Sequence, residues 1–541
     1  MRGMRDEGVV MGDGKAEVIS IKDRVQGRVK EEDEKYGSGS GGSGAGDQID
    51  SEFILKCLDR NELGDGELFK RIHRDKFLFN KATTSWLVWT GHHWEIDHMG
   101  VALADVERVC EAYAGEAIKI SKEINSLNME SDKAKIAHLS GQREALNKRA
   151  KKLRAKEGRQ SCLHFAQTSD DSISIKGDEI DREPWLLACA NGVINLKTGE
   201  FRPGRQTDYL MKASPIEWKG IDEPCPQWEK FQAEIHEEDM LPETERLMAP
   251  FLRRLFGYSL VGACVNHIFV VLYGADGRNG KSTTVEILSD IMGSLAGPIR
   301  SEMLLDQKHS TSSAGPSPDI MTLKGLRMAF ASETDDGCRI SPSRVKLFTG
   351  NDELRARNPN DKYETAFKPS HTLFLLTNFR PHADASDMAF WQRVYIIPFN
   401  LMYLIDEEPA KPNQRKADKD LSEKLKKEAS GILAWLVRGC LEWQKIGLNP
   451  PPKVRAARDD YRNTEDNISA FIEYCCYRDP DAESGSTELY EKFERWWKKH
   501  VSNFPMKHKK FGMLMKKEFR SEKVGGVYRY YGIGINQDDD V

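Results

Sequence analysis

A ten-residue string, GADGRNGKST, runs from Gly274 to Thr283 directly after the apolar run IFVVLY (Ile268–Tyr273), and it limits what this chain can fold into more than any other feature. A buried strand that enters a glycine-rich turn and then a helix turns its backbone N–H groups toward a phosphate. In that arrangement Lys281 reaches the β- and γ-phosphates, Ser282 offers its hydroxyl to Mg2+, and Gly277 and Gly280 allow a close backbone approach. Arg278, Asn279 and Thr283 complete the expected lining. The spacing departs from the usual pattern, because Ala275 occupies the first glycine position and Gly274 lies one residue early. The loop is therefore one residue longer or tolerates alanine. A glycine-rich turn with an unrelated lysine is the competing reading, and the strand, turn and helix context weighs against it.

At 541 residues the chain is long enough for several domains. Its 39% hydrophobic and 30% charged composition, with no apolar stretch near the roughly 20 residues of a membrane span, leads us to expect a cytoplasmic protein. Ten cysteines without a metal-binding spacing suit ordinary thiols. A net charge of −5 confines any nucleic-acid contact to local basic patches or a lined channel. The expected organisation is a disordered tail with a Gly/Ser linker (1–50), an α+β domain (51–226), a helical collar with an α/β nucleotide-binding domain (227–470), and a C-terminal domain (471–541). In the second of these, Phe77–Asp97 reads as a hairpin or small sheet around a Thr-Gly turn. The basic stretch Arg143–Arg159 reads as a solvated helix face more readily than as a DNA-facing arm.

Three further segments carry chemistry. GLRMAFASETDD (Gly325–Asp336) is a strand ending in acids, where Glu333 can orient an attacking water and Asp335 can help hold Mg2+. HTLFLLTNFRP (His371–Pro381) is an apolar strand ending in Asn378, read as a buried amide able to meet a γ-phosphate and the water attacking it. FWQRVYIIPF (Phe390–Phe399) introduces Arg393 beside an apolar strand. Its partner is either a carboxylate of the same subunit or the γ-phosphate of a neighbour's ATP. Near the C-terminus, two helices (Thr487–His500 and about His508–Phe519) and a glycine-turned hairpin follow a winged-helix order, with Lys509, Lys510, Lys516 and Lys517 on or near the second helix as expected DNA contacts, a protein-docking module being the competing reading. The aromatic stripe Tyr490, Phe493, Trp496 and Trp497 reads as core.

Together GADGRNGKST, ASETDDG, VKLFTGNDELRARNPNDKYETAFKPSHTLFLLTNFRP and FWQRVYIIPF resemble the superfamily 3 helicases, most closely the phage/plasmid primase-helicases of the poxvirus type. The resemblance extends over about residues 60–540. It implies an AAA+-type P-loop ATPase that forms a ring, usually a hexamer, with ATP between subunits and single-stranded DNA in the channel. Carried onto this sequence, it gives Lys281 and Ser282 to the phosphate loop, Glu333 to the acidic motif, Asn378 to the sensor and Arg393 to a trans-acting finger. Asn351–Phe367 matches the channel hairpin, with Arg355, Arg357 and Lys362 as phosphate contacts. A surface hairpin without DNA contact is the competing reading.

The resemblance also implies single-stranded and forked DNA as partners; with only about 50 residues ahead of Ser51, a helicase without primer synthesis is expected, and any priming is expected to come from another chain. Two other readings use the same loop. One is an ATP-switched initiator or loader without processive unwinding, and the other is a motor acting on duplex DNA.

Overall fold

The structure is a computed structural model that describes residues 49–238, 240–242, 245–306, 316–332, 338–359, 364–465, 467–501 and 505–536. The expected disordered tail falls almost wholly outside them. The chain divides into two compact units, one containing residues up to Gly91 with Ile96–Lys176, the other His92–Glu95 with Gly177–Val541. Residues 177–226 thus share a unit with the phosphate loop.

The smaller unit is mainly helical. Helices Ser51–Asp59, Asn61–His73, Val101–Ser126, Lys133–Leu153 and Lys156–Thr168 surround a core containing Phe69, Phe77, Val106 and Tyr113. Strands Phe77–Asn80 and Ser85–Trp89 pair as an antiparallel hairpin. Its turn lies at residues 81–84, where Asn80 Oδ1 accepts from the Ala82 N–H at 3.0 Å, and the Thr90-Gly91 step that the sequence suggested opens the bend between the strands Ser85–Trp89 and Trp94–Ile96.

Half of the basic stretch is paired with acids within this unit. Arg149 Nε donates to the buried Asp65 Oδ1 at 3.0 Å, and Tyr113 OH donates to the same oxygen at 3.0 Å. Lys152 pairs with Glu62 at 2.8 Å, while Arg154 and Arg159 converge on Glu107 at 2.8 and 2.6 Å. Half of the eight cations therefore tie helices together, while Lys148, Lys151, Lys152, Arg154 and Lys156 remain exposed, as the solvated-face reading expects.

The larger unit is built on five parallel strands: β1 (Phe269–Tyr273), β2 (Ala296–Ile299), β3 (Met328–Ser332), β4 (Thr372–Thr377) and β5 (Val394–Pro398). Their order across the sheet is β5-β1-β4-β3-β2. Helices cover both faces, so the inner strands read as continuous apolar runs, and all six residues of β4 are buried. Alternation sends Val270 and Leu272 into one core with helices Pro226–Ile235, Met248–Tyr258 and Ala429–Ile446. Phe269 and Val271 enter a second core with Phe390, Trp391 and Tyr461. This is the doubly wound arrangement in which ligands bind beyond the carboxyl ends of the strands, where the strand order reverses.

The C-terminal portion has its own core of Phe471, Phe493, Trp496, Trp497 and Phe511, so the aromatic stripe is interior. Helices Asn467–Cys475, Ser486–His500 and His508–Glu518 pack with a three-stranded sheet. The hairpin Ser521–Val524/Val527–Tyr531 turns at Gly525-Gly526, and Glu483–Gly485 adds the third strand on the Val527–Tyr531 side. All ten cysteines are free thiols, nine of them buried. Among the described residues no helix is long and apolar enough to cross a membrane.

Candidate active site

The carboxyl end of β1 opens into the phosphate loop, and helix α1 (Lys281–Met292) begins immediately after it. Two residues bend the backbone into the left-handed region: Arg278 at φ 56° and Gly280 at φ 90°. Glycine is required at position 280 twice over, because a Cβ there would also lie 2.9 Å from the Ile235 side chain. Asn279 is buried, and its Nδ2 donates to the Asp276 carbonyl at 2.5 Å, closing the loop on itself. The Tyr403 N–H donates to the Arg278 carbonyl at 2.8 Å from outside.

The glycines differ from the expectation. A Cβ on Gly277 would meet nothing within 4 Å, so that position is open rather than tight. The early glycine, Gly274, is the crowded one: a Cβ would lie 2.2 Å from Asn279 Nδ2 and 2.6 Å from the Phe399 carbonyl oxygen. Phe399 follows β5, so its approach is invisible in the local spacing. Gly274→Ala is expected to abolish nucleotide binding, whereas Gly277→Ala leaves it within about twofold of wild type, a contrast that titration with a fluorescent nucleotide measures.

Lys281 is 6% exposed, and its ammonium donates to the Gly274 carbonyl at 2.9 Å and to Asn378 Oδ1 at 2.8 Å. Burial pulls its pKa down from 10.5 to about 8. The unliganded lysine is therefore about half deprotonated near pH 8, while an adjacent phosphate favours the charged form. Nucleotide binding between about pH 8 and 10.5 is expected to take up a proton, and binding near neutral pH to take up none. Calorimetry in buffers of differing ionisation enthalpy reads that uptake.

Ser282 is exposed on the first turn of α1, Thr283 is half-buried, and Thr284 spends its hydroxyl on the Gly280 carbonyl at 2.9 Å. The Thr284 N–H closes the first turn of α1 on the Gly280 carbonyl at 3.0 Å, and a helix amino end of this kind presents its preceding N–H groups to an anion. Asn378 is exposed, unlike the buried amide expected, because β4 ends one residue before it. Ser332, the last residue of β3, sits opposite Leu376 of β4. Glu333 and Asp335 follow it and lie outside the described residues.

Arg393 is placed elsewhere. Its carbonyl accepts from the Phe269 N–H at 2.7 Å, beside the start of β1. The five residues of β1, at about 3.3 Å each, put roughly 16 Å between that edge and the loop. Among the described residues its Nη1 makes two long contacts, both 3.4 Å, to the carbonyl and hydroxyl of Thr349. Among the described residues no carboxylate pairs with it.

The expected DNA contacts also separate. Strands Leu354–Ala356 and Thr365–Phe367 form an antiparallel hairpin, on which exposed Arg355 pairs with Glu353 at 3.1 Å. Arg357 directly follows the first strand, and Lys362 lies outside the described residues. On helix His508–Glu518, Lys509 and Lys516 are exposed, and Lys516 Nζ lies 3.3 Å from the centre of the Tyr528 ring, linking helix to hairpin. Lys510 and Lys517 lie on this helix, but their side chains fall outside the description.

Residues 66–237 match the family model described as D5 N terminal like. A putative helicase of Acanthamoeba polyphaga mimivirus is 28% identical over 60% of this chain and 34% of its own length. A putative helicase of Frog virus 3 is 26% identical over 59% and 39%, and a putative primase of African swine fever virus is 20% identical over 60% and 34%. These likenesses support a D5-like primase-helicase family. The chain spans between a third and two-fifths of the length of those relatives. Among solved structures, the apo A form of the NrS-1 C-terminal region covers 88% of this chain and 100% of its own, at 10% identity and a TM-score of 0.44.

Proposed function

We propose that this chain is an ATP-dependent DNA helicase of a phage, plasmid or mobile element, a ring motor that translocates on single-stranded DNA during replication. The observation that carries the reading is Lys281, a buried ammonium held by Gly274 and Asn378 where the strand order of a parallel sheet reverses. That position suits a triphosphate, with α1 and the loop amides supplying the remaining phosphate contacts. Ser282 offers a hard oxygen donor of the kind Mg2+ takes, and Glu333 with Asp335 are the carboxylates assigned to share it. Mg2+ would neutralise charge on the phosphates. Asn378 positions the terminal phosphate, and Glu333 orients the attacking water.

A ring reading, with a hexamer as the expected form, is supported by Arg393. Its place on the opposite edge of the sheet puts it out of reach of its own loop, so any phosphate it meets belongs to a neighbour. The hairpin bearing Arg355 and Arg357, with Lys362, supplies the single-strand contacts, and the C-terminal winged-helix fold supplies a second basic surface through Lys509, Lys510, Lys516 and Lys517. ATP-dependent separation of a forked duplex by the wild-type chain is the test. ATP turnover with DNA binding but no strand separation would favour the loader reading instead, and movement on intact duplex the duplex-motor reading.

A further inference from the structure

Thr377, the last residue of β4, is in register with Tyr273, the last residue of β1, and its carbonyl accepts from the Gly274 N–H at 3.3 Å. The turn beyond β4 is tightened by the Thr377 hydroxyl, which donates to the Phe379 carbonyl at 2.6 Å and accepts from the Phe379 N–H at 3.1 Å. That turn presents two polar side chains beside the base of the phosphate loop. One is Asn378, on Lys281. The other is Arg380, whose guanidinium carbon lies 4.8 Å from the centre of the Tyr273 ring and 5.7 Å from that of Tyr461.

Arg380 is incompletely matched in this state. Its Nη1 donates to Asp460 Oδ2 at 2.7 Å, but the Asp460 side chain is 64% exposed, and ion pairs to such carboxylates are weak. Its Nε is buried and has no hydrogen-bond partner among the described residues, which is a costly condition for a donor. The two rings fix the plane of the guanidinium, so its fork of donors is oriented before any ligand arrives. Of the two residues that hold the Lys281 ammonium, Gly274 directly follows Tyr273 and Asn378 lies two positions before Arg380 in the chain.

We propose that Arg380 is a same-chain cation that reads the terminal phosphate of a nucleoside triphosphate on the Gly274–Thr283 loop, exchanging Asp460 for a phosphate oxygen. The proposal rests on the nucleotide reading of that loop and adds to it a means of telling triphosphate from diphosphate. Arg393 has no such role toward its own loop, since it lies at the opposite edge of the sheet.

The test compares binding of a non-hydrolysable ATP analogue and of ADP, each with Mg2+, to the full chain carrying Arg380→Ala, Arg380→Lys or Asp460→Ala. Arg380→Ala is expected to weaken analogue binding roughly 10- to 100-fold while ADP binding stays within about twofold. Arg380→Lys recovers part of the loss, because it keeps the charge without the fork. Asp460→Ala leaves analogue binding unchanged or tighter. Equal losses for both nucleotides would overturn the proposal and make Arg380 a pin between β4 and the helix Pro452–Thr464. So would a lowered melting temperature with analogue affinity intact, or an Asp460→Ala protein that reproduces the Arg380→Ala loss. If the wild-type chain bound neither nucleotide, the reading of the loop itself would fail, and this proposal with it.

Discussion

Lys281→Ala is expected to lower ATP turnover by at least about a hundredfold and to remove fork unwinding with it. Two effects combine. The substitution deletes the only ammonium held between Gly274 and Asn378, and it leaves the Gly274 carbonyl and the Asn378 amide oxygen without the donor they share. The fold should survive, because Lys281 begins α1 at its amino end and the core contacts of that helix are made by Val285, Ile287, Leu288 and Ile291. Circular dichroism and a melting curve establish that the variant is folded, and a coupled ATPase assay then reads the loss. Turnover at the wild-type rate in a folded Lys281→Ala protein would remove the loop from the mechanism.

Arg393→Ala is expected to lower turnover by roughly a thousandfold, the scale of an arginine finger, while nucleotide binding persists. Binding persists because Arg393 lies beside the start of β1, at the far edge of the sheet from its own loop. The decisive measurement is a mixture. A site formed by the intact loop of an Arg393→Ala subunit and the intact arginine of a Lys281→Ala subunit contains every group, so mixing two inactive proteins should restore part of the ATPase activity. Arg393 is also poorly anchored for a structural cation, with two 3.4 Å contacts to Thr349 and no carboxylate among the described residues. Failure of the mixture to recover any activity, with assembly confirmed by light scattering, would return Arg393 to a role inside its own subunit.

The strands of the larger unit were legible because each inner one is buried on both faces. Such strands appear as unbroken apolar runs, and the inner strands β1, β3 and β4 each fall inside a segment read as strand, as does the apolar edge strand β5. β2, Ala296–Ile299, was not, since a four-residue edge strand with glycine and proline carries no such run. The short strand Glu483–Gly485 escaped for a related reason. Its residues have little strand propensity, and it forms by pairing with Val527–Tyr531. The basic stretch misled in another way, because composition counts Arg149, Lys152, Arg154 and Arg159 as free charge, although their acidic partners lie 47 to 90 positions away.

The sequence by itself determined the local chemistry: a strand, a phosphate-suited turn, a helix carrying Lys281, and an amide and a cation at the boundaries of later strands. These follow from residue type and short-range periodicity, which encode burial and turn geometry. The tertiary structure alone decided which of these groups meet. It brought Asn378 onto Lys281 across 97 residues, crowded Gly274 against Phe399, and set Arg393 at the opposite edge of the sheet. The physical reason is that strand order and register are fixed by packing between segments distant in the chain, a choice that no single apolar run records.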